Sequence, residues 1–156
     1  MKNVLLFVCL FTVLASCKKD KFETVPQIEF TDMKNSVQTR NLLSNERDQA
    51  AILVMKVTDA EGDFGSNTPE DSSWIVIKHL LSNRVDSVRF PDLSRAPKTN
   101  FDAEVSVNLF DFTECFDPGP LRPRVDTIFY DVYIRDQKNH KSNTIRTTKP
   151  VLRTCE

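Results

Sequence analysis

The sequence predicts an all-β fold in which two antiparallel sheets pack face to face, and three observations carry that expectation. Beyond residue 26 the apolar residues recur with period two rather than 3.6. The interruptions between apolar runs are rich in Asp, Asn, Pro and Ser, the residues that form turns. No stretch keeps a helical period, and "NSVQTRNLLSNERDQ" alone leaves room for a short turn of helix.

Seven strands follow in order. Strand A, 26–31, is carried by "QIEF". Strand B, 50–58, reads "AAILVMKV", a nearly continuous apolar run of the kind found where a strand is covered on both faces. Strand C, 73–81, is of the same type in "WIVIKHLL", and strand D, 84–90, is "RVDSVRF". Strand E, 102–110, alternates cleanly: Ala103, Val105, Val107 and Leu109 against Glu104, Ser106 and Asn108. Strand F, 126–135, sets Ile128, Tyr130, Val132 and Ile134 against Phe129, Asp131, Tyr133 and Arg135. Strand G, 142–149, contains "NTIRTT". All are weighted toward Val, Ile, Phe and Thr. Seven short strands with this patterning and no helices define a two-sheet antiparallel sandwich of the immunoglobulin-like type.

The first 25 residues belong to a different regime. "MKNVLLFVCLFTVLASC" sets one Lys ahead of an eleven-residue apolar run, Val4 to Leu14, broken only by Thr12. A membrane-spanning helix needs about 20 apolar residues, so residues 1–16 read as an export signal rather than a permanent span. Residues 17–25 then form a charged tether ending before Pro26, and residues 18–25 reach at most roughly 28 Å when extended. The remaining domain is 26–156.

Beyond residue 16 the chain carries 20 Lys or Arg (21 less Lys2) against 22 Asp or Glu, a formal charge of −2. That balance offers no electrostatic footprint for nucleic acid. Of four cysteines, Cys9 lies in the signal and Cys17 at its end, leaving Cys115 and Cys155 as a pair that an oxidising compartment would join. Strand G runs away from the F–G turn, so its downstream end should bring Cys155 to the connection between strands E and F, where Cys115 lies. That connection, "DFTECFDPGPLRPR", is too rich in proline to pair regularly and long enough to need pinning. Its Phe112, Phe116 and Leu121 also offer a binding surface.

The stretch with most chemistry is "VTDAEGDFG", residues 57–65. The B–C and F–G loops of such a sandwich emerge at one end. Asp59, Glu61 and Asp63 should therefore face the last hairpin, where Asp136, Asn139 and Asn143 are available. Hard oxygen donors in that number suit calcium. The competing account is a tight turn and nothing more, because Asp, Asn and Gly form such bends without an ion. Two of the three glycines, Gly62 and Gly65, lie here. An EF-hand is excluded: counting from Asp59, the obligatory glycine position holds Phe64. No cofactor other than calcium is suggested. Two histidines, His79 and His140, give no nucleophile–base spacing, and Cys115 and Cys155, 40 residues apart, lack the CxxC partners zinc requires. A pair of carboxylates acting as a small hydrolase remains as an alternative that no spacing singles out.

Several motifs resemble known families. Leu14-Ala15-Ser16-Cys17 resembles the lipobox of bacterial lipoproteins, which implies cleavage before Cys17 and its attachment to diacylglycerol. Lys18 and Lys19 stand where the inner-membrane retention signal of such proteins has Asp, which favours the outer membrane. "YDVYIRDQKNHKSNT" is similar to the final hairpin of fibronectin-like and bacterial immunoglobulin-like domains, and Tyr130 is placed like their tyrosine corner. Together with "VPQIEF" and "VTDAEGDFG", it resembles a group of small Bacteroidota-type lipoproteins that carry a sandwich of no assigned activity. The chain departs from that group at Ala60 and Glu61, where such turns often read Gly-Asp. The resemblance implies a lipid-anchored envelope protein facing the periplasm or the surface. The expectation is a non-catalytic binding or structural accessory module, held to the membrane by its lipid and binding an envelope protein or a glycan. The alternative is a calcium-dependent adhesion or carbohydrate-binding module.

Overall fold

The computed structural model describes residues 21–65, 73–91, 99–116 and 123–155. Residues 1–16, expected as an export signal, Cys17 and Leu121 lie outside them. The described residues form ten strands: β1 Gln27–Lys34, β2 Val37–Gln38, β3 Ile52–Asp59, β4 Trp74–His79, β5 Val85–Arg89, β6 Phe101–Asn108, β7 Arg124–Ile128, β8 Tyr130–Arg135, β9 Ile145–Arg146 and β10 Val151–Cys155. The room for a helical turn is used by a 3-10 segment, Ser44–Gln49.

The fold is an all-β sandwich. One layer has the order β1-β3-β6 and the other β5-β4-β8-β9, every neighbouring pair antiparallel. A third, small sheet, β2-β10-β7, closes one end, with β10 parallel to β2 and antiparallel to β7. The fourth strand, 84–90 by sequence, is β5 and pairs with β4 along Trp74↔Arg89 to Lys78↔Val85, a partner that strand periodicity does not specify. Two expectations need correction. Strand F is one chain run but two paired segments, broken at Phe129; its inward phase nevertheless continues through Ile128, Tyr130, Val132 and Ile134. Strand G is shorter and later than expected: β9 pairs over two residues, the chain crosses at Pro150, and "VLRTC" resumes pairing with β7.

Each layer buries one face because its side chains alternate. β3 contributes Leu53, Met55 and Val57, β6 Phe101, Val105 and Val107, β4 Ile75 and Ile77, and β8 Tyr130, Val132 and Ile134. Removing a side chain of this size from water contributes about 1.5–3 kcal/mol.

Two staples sit at the closed end. Cys115 and Cys155 form a disulfide, with Cα atoms 5.9 Å apart, as strand direction and cysteine count predict. The Tyr130 hydroxyl, fully buried, donates to the Phe112 carbonyl at 3.0 Å and ties β8 to the β6–β7 connection. This is the bond that the tyrosine-corner resemblance implies. A Tyr130→Phe variant leaves that carbonyl buried without a donor and is expected to lose about 1–2 kcal/mol in urea unfolding. An unchanged midpoint would show that the bond contributes nothing.

Candidate functional site

The opposite end of the sandwich is built by the β3–β4 and β8–β9 loops. Asp59 is the last residue of β3, and it is completely buried because its position in the alternation faces inward. Its Oδ2 accepts the backbone N–H groups of Glu61 at 3.1 Å and Gly62 at 2.6 Å, an Asx turn that folds the chain back on itself. Gly62 and Gly65 both have positive φ, 61° and 64°, which explains why two of the chain's three glycines are spent here. Phe64 then drops into the core, stacked on Phe90 with centroids 4.6 Å apart and tilted against Phe101 at 5.4 Å. The residue that rules out an EF-hand is therefore the one that anchors the loop.

Facing this turn, Asp136 begins the last hairpin with its side chain out of solvent. Its Oδ1 accepts the His140 N–H at 2.7 Å and its Oδ2 lies 2.9 Å from His140 Nδ1. The two loops are joined where the Gln137 N–H donates to the Asp63 carbonyl at 3.1 Å. Lys138 reaches back across the gap, bonding Glu61 and lying 3.8 Å from Asp63 Oδ2, an ion pair without a hydrogen bond.

The carboxylates are not all satisfied. Asp59 Oδ1 and both Asp63 side-chain oxygens are buried without a hydrogen-bond partner. Burial pushes the Asp63 carboxyl up to about 6, and the nearby charges of Asp136 and Asp59 push the same way. Burial also raises Asp59, opposed by the N–H groups of Gly62 and Glu61. Glu61 behaves oppositely, held low by its bond to Lys138.

The six oxygen-bearing residues expected here thus separate. The charge of Asp136 acts on both Asp59 and Asp63, although donor oxygens of the three do not all lie within 4.8 Å of one another, and Glu61 pairs with Lys138 beside them. Asn139 and Asn143 are engaged elsewhere. Asn139, at φ 66°, holds Arg135 through its side-chain oxygen at 2.9 Å. Asn143 makes a two-way bond with Ile28, donating to its carbonyl and accepting its N–H, both at 2.8 Å, and so extends the edge of β1. Asparagine in a hairpin turn serves backbone satisfaction as readily as ligation, and the sequence pattern is the same for both. Lys138 was not legible as a member of the site, although a cation in a loop facing an acidic turn is a signal for one.

At the disulfide end, Asp126 is buried, paired with Arg124 at 2.7 Å and accepting the Phe116 N–H at 3.1 Å. Cys115, Asp126 and Cys155 are the one trio of metal-type donors gathered within 4.8 Å among the described residues, but their two sulfurs are bonded to each other. A small hollow of about 150 Å³ lies beside them, lined by His79, Phe112 and Phe116 among others. His79 accepts the Ser82 N–H on Nδ1 at 3.1 Å, and burial disfavours its charged form. A neighbouring hollow contains two acids, Asp111 and Glu114. Each is bound to an arginine, Asp111 to Arg47 at 3.1 Å and Glu114 to Arg84 at 2.6 Å.

No known family model matches the chain, and no characterised protein or solved structure is significantly similar to it.

Proposed function

We propose that this protein is a lipid-anchored module of the cell envelope that binds a partner rather than transforming one. The observation that carries the reading is the order of elements along the chain: a lipobox-like Leu14-Ala15-Ser16-Cys17, a short charged tether, then a sandwich whose first strand begins at Gln27. Two or three acyl chains at Cys17 would hold the domain stably at a membrane surface, where one would not. No helix among the described residues is long and apolar enough to cross a membrane.

The binding half of the reading is supported by the outward face of the four-stranded sheet. Because β4 and β8 turn Ile75, Ile77, Val132 and Ile134 inward, the alternate positions Trp74, Val76 and Tyr133 face out, with Val76 and Tyr133 register partners. Arg89 lies 5.7 Å from the Trp74 ring, and Lys141 lies 4.2 Å from the Tyr133 ring. Trp, Tyr and Arg are the residues that dominate the energetics of interfaces. The partner would be an envelope protein or glycan.

The test of the anchor is metabolic labelling of intact cells with radioactive palmitate. The wild type is expected to take up label and a Cys17→Ala variant none; equal labelling of both would overturn the reading. For the binding half, crosslinking in the same cells should capture a partner that is lost from a Trp74→Ala/Tyr133→Ala double variant of unchanged melting temperature. Capture of the same partner by both would overturn it.

A further inference from the structure

We propose that Asp59, Asp63 and Asp136 form a seat for a divalent cation of the calcium type, covered by the Lys138 ammonium when the cation is absent. This goes beyond the anchored-module reading and stands independently of Cys17 and of the outer sheet face.

The starting point is an imbalance of charge in a place shielded from water. Three carboxylates approach from two loops: Asp136 is held on both oxygens by His140, while Lys138, already bonded to Glu61, lies 3.8 Å from Asp63 Oδ2. Folded proteins rarely leave a buried carboxylate oxygen without a partner, because the lost hydration is not replaced. Here three such oxygens are orphaned: Asp59 Oδ1, on a residue with no solvent exposure, and both oxygens of Asp63. A turn that needed only its backbone satisfied would require Asp59 Oδ2 alone, which already accepts two N–H groups. The second Asp59 oxygen and the whole Asp63 carboxylate have no role in the bend.

The donor chemistry narrows the ligand. All the orphaned atoms are carboxylate oxygens, hard donors that select calcium or magnesium over zinc or copper. Calcium tolerates irregular geometry and bidentate carboxylates, whereas magnesium demands a near-ideal octahedron and keeps its waters. The three acids come from two separate loops, and donor oxygens from all of them do not lie within 4.8 Å of one another. Binding must therefore draw the loops together, which suits the more adaptable ion. Lys138 sits at the rim with more than half of its side chain exposed, so its ammonium is free to swing out as the ion enters. Modules of this kind that face the outside of cells bind calcium with Kd of about 0.1–1 mM.

The test uses the purified full chain in detergent, stripped with chelator and titrated with calcium chloride, followed by calorimetry and by melting temperature. A saturable heat and a rising melting temperature with a midpoint of about 0.1–1 mM are expected. Magnesium is expected to require at least roughly tenfold more ion for the same response. Asp63→Asn and Asp136→Asn should each weaken calcium binding about tenfold or more, and Asp63→Asn should raise the melting temperature of the ion-free protein by relieving repulsion. Lys138→Met should tighten binding severalfold, since it removes the competing charge. No heat and no shift at 10 mM calcium in the folded wild type would overturn the proposal. So would an equal shift from sodium at matched ionic strength, or an undiminished response in Asp63→Asn.

Discussion

A Cys115→Ala/Cys155→Ala variant is expected to lose about 4 kcal/mol of stability, on the chain-entropy account of a cross-link closing a loop of 40 residues. For a domain of this size that corresponds to a fall in melting temperature of roughly 10–20 °C. The loss arises mainly in the unfolded chain, which regains the freedom to separate residues 115 and 155. A smaller part arises in the native state, because the disulfide holds the β6–β7 connection against β10. Among its described residues that connection is also tied by the Phe116 N–H on Asp126, the Tyr130 hydroxyl on the Phe112 carbonyl, and ion pairs at its rim. Reducing agent added to the wild type should reproduce the effect of the variant. A loss under about 1 kcal/mol in both would mean that the native state relieves strain on release of the bond, contrary to the argument.

Replacing Phe64 by alanine is expected to cost about 3–5 kcal/mol, the range for deleting a buried phenylalanine from a core that cannot collapse around the gap. Phe64 is all but buried, stacked on Phe90 and wedged against Phe101, so it joins the tip of the β3–β4 turn to both layers of the sandwich. Its loss opens a cavity between β6 and the end of β5. It also frees the chain at Asp63, one residue away, from the constraint that keeps it facing Asp136. Urea unfolding measures the first effect, and the calcium midpoint measures the second, which should rise. A variant that unfolds at the wild-type midpoint would show that the aromatic cluster does not anchor the turn.

Much of this architecture was legible because alternation is a direct imprint of burial. The inward phase Ile128, Tyr130, Val132, Ile134 was readable along the whole of strand F, and it survives even where pairing breaks at Phe129. The disulfide followed from strand direction and cysteine count. What stayed hidden was what alternation does not encode. The partner of β5 depends on which sheet edge it reaches, and its side chains are mostly exposed on either choice. β10 escaped notice because Arg153 occupies a buried position in "VLRTC", its guanidinium bonded to the Arg40 carbonyl and the Asn41 side chain. A charged residue at an inward position erases the period that would mark the strand.

The acidic turn shows the same division. That Asp59, Asp63 and Asp136 lie at one end follows from the topology of a sandwich, in which the two loops share that end. That Asn139 and Asn143 do not join them depends on φ 66° at Asn139 and on the edge of β1 ending beside Asn143. Neither is written in composition or spacing. The same polar letters serve a backbone and a metal, and only their unsatisfied atoms tell the two apart.

On this proposal the open end of the sandwich is an incompletely neutralised acidic seat that a cation closes by drawing its two loops together. Amide hydrogen exchange of the full chain, with and without millimolar calcium, tests it most directly. The account predicts added protection confined to residues 59–65 and 136–140, with the disulfide-bearing end unchanged. Exchange that is identical in both conditions, or protection spread evenly over the strands, would contradict it.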